Sequence, residues 1–102
     1  MNTLVPSFIL VLHQTYYKTG FFNVKVDNER YFGSDNENIE IYCGNNPIPI
    51  IGKINRSANN NHTPRIMGGS TLKQWFSEES NINGRIEVKI INKNKIILNI
   101  LR

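Results

Sequence analysis

Residues 53–76 read KINRSANNNHTPRIMGGSTLKQWF. The stretch opens as the end of a strand, crosses a polar segment without a single acid, and closes in an amphipathic helix. Between Ile54 and Pro64 there is almost nothing to bury. Asn55, Arg56, Asn59, Asn60, Asn61, His62 and Thr63 all carry hydrogen-bonding side chains. A loop that long and polar inside a small domain is either functional or disordered. The ordered features on both sides, IPIIGKI before it and PRIMGGSTLKQWF after it, favour function. Asn and Arg are also the side chains that pair bidentately with adenine and guanine edges in the major groove. The segment is therefore expected to be a nucleic-acid-gripping arm. Arg56 and Arg65 flank a segment with almost no apolar side chain, so truncating either should leave the fold nearly intact.

The helix that closes the stretch follows a Gly68-Gly69 break, with Ser70 or Thr71 expected as its N-cap. Leu72, Trp75 and Phe76 stand at i, i+3 and i+4, one apolar stripe for a core. Upstream, Phe8–His13 is branched and apolar, which predicts a strand. FFNVKV reads as a second strand, with Phe22, Val24 and Val26 on one face and Phe21, Asn23 and Lys25 on the other. An acidic connection follows, with a short helical turn expected around Arg30–Phe32. IEIYC is the next strand. IPIIGKI is another, whose Pro49 and Gly52 suggest an edge or a bend. Downstream, Asn83-Gly84 ends the helical unit. RIEVKII and KIILNIL are two strands joined by a two-residue turn at Lys93-Asn94. Ile86, Val88 and Ile90 share one face, Glu87 and Lys89 the other. The count is about seven strands and one or two short helices, a mainly β fold whose small sheet is expected to close into a barrel.

With 102 residues, 39% hydrophobic and 10% aromatic, the chain is expected to fold as one domain over residues 1–102. The net charge is +4, with a pI near 9.4. Five of the eight acids (Asp27, Glu29, Asp35, Glu37 and Glu40) lie between residues 27 and 40, and residues 1–26 and 41–77 have none. This reads as a segregated basic surface suited to an anionic partner. Cys43 is the only cysteine. It sits in an apolar run, which predicts a buried thiol, no internal disulfide and a reducing cytoplasm. One cysteine and two histidines make a zinc site improbable. The apolar start LVPSFILVL is short, lacks a basic flank and contains a proline, so it reads as a buried strand rather than a signal or membrane span.

HQTYYKTGFFNV near the start, NRSANNNHTPRIMGG in the middle, a helix carrying Leu-x-x-Trp-Phe and a Gly-x-Ile-x-Val strand together resemble the B3-like DNA-binding pseudobarrel. More specifically, the chain looks like the DNA-recognition domains of restriction endonucleases such as EcoRII and BfiI. The resemblance spans roughly residues 7–92 and rests on segment order. It implies a seven-stranded open barrel with two arms that grip duplex DNA from the major-groove side and read a short site. The N-terminal arm falls on Gln14, Thr15, Tyr16, Tyr17, Lys18 and Thr19, and the C-terminal arm on Arg56–Arg65. Those enzymes also carry a catalytic domain. None is visible here, so a nuclease domain or subunit, if there is one, is expected outside this chain.

Within that frame Arg56 and Arg65 are candidates for guanine, and Asn59, Asn60 and Asn61 for adenine. Asn23, His62 and Thr63 complete the polar face. Lys18, Lys25, Lys53 and Lys73 are phosphate candidates without sequence readout. Tyr16 and Tyr17 are candidates for phosphate or sugar, with one of the two expected in the core because strand neighbours face opposite ways. Trp75 is read as core. Two nuclease readings compete. Glu87-Val88-Lys89 with Asp35 has the residue types of a metal-dependent site, and His13 with His62 those of a metal-free acid–base pair. A small RNA-binding or protein-interaction module is a further alternative. The expected function is non-enzymatic, sequence-selective binding of double-stranded DNA, with no cofactor, no metal and no membrane partner.

Overall fold

The period-two alternation of branched apolar and polar residues makes strands the main regular element of the chain. In the computed structural model, which describes residues 5–102, there are seven: β1 (Ser7–Val11), β2 (Phe21–Asn23), β3 (Asn38–Cys43), β4 (Ile50–Asn55), β5 (Arg65–Met67), β6 (Arg85–Asn92) and β7 (Lys95–Leu101). Helix α1 (Gln14–Thr19) joins β1 to β2, helix α2 (Gly69–Glu79) joins β5 to β6, and a 3-10 turn spans Val26–Tyr31. The apolar start was read from Leu4, which itself lies outside the described residues.

The strands form one mixed sheet in the order β1-β6-β7-β3-β4-β5-β2. Every pairing is antiparallel except that of β3 with β7. The sheet curls into an open half-barrel whose free edges are β1 and β2. Its inner face is continuous: Ile39 and Ile41 of β3, Ile54 of β4, Ile66 of β5, Ile86 and Val88 of β6, and Ile96 and Leu98 of β7 are all buried. Helix α2 adds Leu72 and Phe76, both with no exposed surface. Each such side chain contributes roughly 1.5–3 kcal/mol by leaving water. The tight turn at Lys93-Asn94 and the inward face Ile86–Val88–Ile90 are as the pattern predicts.

Several local expectations are corrected. The strand FFNVKV stops at Asn23; Val24 is buried, but Val26 is 65% exposed because the 3-10 turn begins there rather than at Arg30. Strand β4 is not an edge, since β3 and β5 pair with its two sides. Gly52 serves that position differently: a Cβ there would meet the Met67 carbonyl of β5 at 2.5 Å. The three-residue β5 has too short a pattern to be seen in the sequence. The N-cap of α2 is Gly68 with no side-chain hydrogen bond, and Ser70 and Thr71 lie inside the first turn.

Residues 14–19 are helical, so Tyr16 and Tyr17 do not face opposite ways. Both are half-buried against the core. The helix ends where Gly20 turns left-handed (φ 83°) and its N–H donates to the Tyr16 carbonyl at 2.9 Å. The Gly20 carbonyl then accepts from the Gly68 N–H at 2.9 Å. A Cβ at Gly20 would overlap the Gly69 backbone at the start of α2. Here the two helices meet backbone to backbone.

That close approach is measurable by comparison with Gly44, which is also left-handed (φ 60°) but faces open space. Gly44→Ala should lower unfolding free energy by about 1–2 kcal/mol, the strain alone. Gly20→Ala should cost at least about 2 kcal/mol more in the same denaturant titration, because backbone must move. Cys43 is buried, and desolvation pushes its thiol up to about 12. It should therefore resist iodoacetamide at pH 8 in the folded protein and react promptly once the protein is unfolded in denaturant.

Candidate nucleic-acid interface

The polar loop between β4 and β5 is ordered by its own side chains. Asn55 Oδ1 accepts from the Ser57 N–H (2.8 Å) and the Ala58 N–H (3.1 Å), which turns the chain out of β4. Asn61 Oδ1 accepts from the Thr63 hydroxyl at 2.8 Å and its N–H at 3.3 Å. His62 adopts φ 60°, with its N–H on the Asn59 carbonyl and Nδ1 3.3 Å from the Arg56 carbonyl. Asn and His tolerate such local bonding and left-handed geometry better than other side chains. The asparagine run therefore builds the loop as well as decorating it.

Arg56 is not presented to solvent. Its Nε donates to the Gly33 carbonyl (2.7 Å), and Nη2 donates to the carbonyls of Glu29 (2.9 Å) and Phe32 (3.0 Å). Nη1 reaches the Glu29 carboxylate (2.8 Å) and the His62 carbonyl (3.2 Å). A guanidinium has five N–H donors, and each has a partner within the protein. The Asp35 carboxylate accepts from the Arg56 N–H (2.7 Å) and from the Ser57 hydroxyl (3.3 Å). The acidic connection thus packs directly on the polar loop. Charge segregated along the chain is not segregated in space.

Arg65 stands differently. It lies on the outer face of the sheet in a row that runs Asn23 (β2), Arg65 (β5), Asn55 (β4). Its guanidinium sits 4.2 Å over the Phe21 ring, and Nε donates to Asn23 Oδ1 at 3.0 Å. Asn59 donates to the same oxygen at 3.1 Å and to the Thr63 carbonyl at 3.2 Å. On the other side, Phe21 meets Tyr16 edge-on at 5.7 Å and Tyr16 meets His13 at 5.5 Å. One contact chain therefore runs from helix α1 through β2 and β5 into the polar loop.

Two concave surfaces lie along it. Asn23, Lys25, Asn59, Asn60, Asn61 and Thr63 line the first, and Phe8, His13, Tyr16, Asn23, Lys25 and Asp27 line part of the second. They share Asn23 and Lys25, so the two expected arms meet there. Gln14, Thr15, Lys18 and Thr19 are exposed on α1, and Lys25 and Asn60 are exposed beside it. Lys53 lies on the outer face of β4 opposite Met67, its Nζ 3.4 Å from the Asn36 carbonyl. Lys73 is exposed on α2, and Trp75 is half-buried beside Phe76. Phe21 was missed as a site residue, although its place on the Asn23 face of β2 was visible in the alternation.

The residues of the rival nuclease readings have other surroundings. Asp35 holds the loop, whereas Glu87 stands on β6 opposite Ile9, 3.9 Å from Lys89. His13 lies against Tyr16, while His62 lies against the Arg56 backbone.

No family model matches the chain, and no curated protein sequence matches it. Its fold, however, is shared with solved structures. The N-terminal domain of Helicobacter pylori LlaJI.R1 superposes with a TM-score of 0.72 over 94% of this chain and 80% of that one, at 12% identity. A hypothetical protein of Arabidopsis thaliana superposes with a TM-score of 0.71 over 99% of this chain and 94% of the other, at 6% identity. At such identities the likeness is one of fold. The half-barrel is common to chains with almost no sequence in common.

The Arg56 network reverses the expectation that this residue is dispensable to the fold. Arg56→Ala should lower stability by about 2–3 kcal/mol, because four backbone carbonyls and a carboxylate lose a charged donor. Arg56→Lys should recover little, since an ammonium cannot span those acceptors. Chemical unfolding of both variants checks this. Melting like wild type would mean that the network carries no stability.

Proposed function

We propose that this chain is a B3-like, sequence-selective double-stranded-DNA-binding domain, the recognition part of a restriction-endonuclease-like system. In this reading α1 and the loop 56–64 are two arms entering the major groove. The observation that carries it is the continuous surface of polar and aromatic side chains joining the β1–β2 and β4–β5 connections through Asn23. Its side chains are the ones that contact nucleic acid: amides and a guanidinium for base edges, lysines for phosphate. The resemblance of the sequence to restriction-enzyme recognition domains supports the reading. So does the fold shared with the LlaJI.R1 domain.

Affinity in this proposal comes from Lys18, Lys25 and Lys53 on phosphates, and specificity from the polar face. The chain acts without metal or cofactor and does not itself cleave DNA. A nuclease domain or subunit elsewhere would supply cleavage.

Binding to a duplex pool should follow counterion release, weakening about tenfold or more between 50 and 200 mM salt. Iterative selection from a random duplex library, with RNA present as competitor, should enrich one short motif. A flat salt response, or preferential retention of the RNA, would favour an RNA-binding or protein-interaction module instead. Cleavage by the purified protein that is lost in His13→Ala or Glu87→Ala would overturn the non-enzymatic reading.

A further inference from the structure

We infer that Arg65 is the guanine-reading residue of this face, held ready by Phe21 and Asn23. The inference rests on the DNA-binding reading above and goes beyond it by assigning one base to one side chain.

Two arginines flank the polar loop, and their surroundings divide the work. Arg56 has all five donors engaged inside the protein. Arg65 has its Nε on Asn23 Oδ1 and its guanidinium carbon 4.2 Å over the Phe21 ring. Among the described residues, neither terminal nitrogen of Arg65 has a hydrogen-bond partner, and no carboxylate lies within 4.0 Å. Those two nitrogens are the edge that matches guanine O6 and N7.

The mounting also limits the freedom of the side chain. A free arginine loses substantial rotamer entropy when it docks. Here the stack and the Nε bond remove part of that freedom beforehand. The orientation of the supporting amide follows from chemistry: Nε–H can only donate, so the atom it meets on Asn23 must be the oxygen. Asn59 donates to that same oxygen and to the Thr63 carbonyl, which ties the mount to the loop. An aromatic backstop with an orienting amide suits a planar, bidentate acceptor pair.

The test starts from the duplex motif that the wild-type protein selects. That motif should contain a guanine whose replacement weakens binding roughly 5- to 150-fold, the range of one bidentate base contact. Arg65→Ala should bind the guanine duplex and its substituted form equally while keeping the preferences at the other positions. Arg65→Lys, which keeps the charge but not the fork, should lose the same preference. Replacing that guanine by 7-deazaguanine removes N7 and should weaken wild type while leaving Arg65→Ala unchanged. Phe21→Leu should reduce the preference in part, with circular dichroism and melting used to confirm that each variant folds. If the Arg65→Ala motif equals that of wild type, Arg65 contacts phosphate or nothing, and if Arg65→Lys keeps full discrimination, a point charge rather than the fork reads the base; in either case this inference falls while DNA binding stands. If wild type selects no duplex motif at all, both readings fall together.

Discussion

A single guanidinium, that of Arg56, ties together three parts of the chain that lie apart in sequence. It spans carbonyls of the 3-10 turn and of the connection after it, the Glu29 carboxylate, and the His62 carbonyl of the polar loop. A solvent-exposed ion pair contributes little. This one is half-buried and multiply hydrogen-bonded, so its loss would leave several acceptors without a donor. The loop of mainly polar residues that follows β4 is ordered because its first residue is anchored in this way. The same anchoring engages all five side-chain donors of Arg56 within the protein.

The acidic segment 27–40 gains its explanation from the same contacts. Glu29 takes Arg56, Asp35 takes the Arg56 N–H and the Ser57 hydroxyl, and Glu37 accepts from the Ser34 N–H at 2.9 Å and from Asn94 at 3.3 Å. The Ser34 N–H foremost, and then Asn94, holds the Glu37 carboxyl below the usual range. These acids therefore brace the base of the loop and the β6–β7 turn. They are not the far side of an electrostatically divided molecule. The case for an anionic partner rests on the local chemistry of the Asn23 face rather than on net charge.

That face depends on a second constraint, the packing of α1. The left-handed turn at Gly20 and its contact with α2 set the helix against the sheet, which brings Tyr16 onto Phe21. Phe21 in turn underlies Arg65. A helix on one connection thereby supports a side chain on another. Such coupling suits a recognition surface, because it holds polar groups in place before a partner arrives.

Local pattern was enough to show a mainly β chain, its last hairpin, the Leu72–Phe76 stripe and the burial of Cys43, since each is written in neighbouring residues. It was also enough to mark residues 56–65 as polar and unusual. It could not show that residues 14–19 are helical, because that six-residue stretch is too short for a period to declare itself and is stopped by one glycine. It could not show β5, whose three residues become a strand only by lying between β2 and β4. Above all, it could not tell Arg56 from Arg65. Both are arginines flanking the same asparagines, and their difference lies in residues 23–44 positions away, with Glu29 and Gly33 closing on one and Phe21 and Asn23 supporting the other. Sequence determined which chemistry is available to this protein. Only the tertiary structure decided which of the two guanidiniums is left to use it, because hydrogen-bond donors are satisfied by what folding brings within about 3 Å, not by what lies next along the chain.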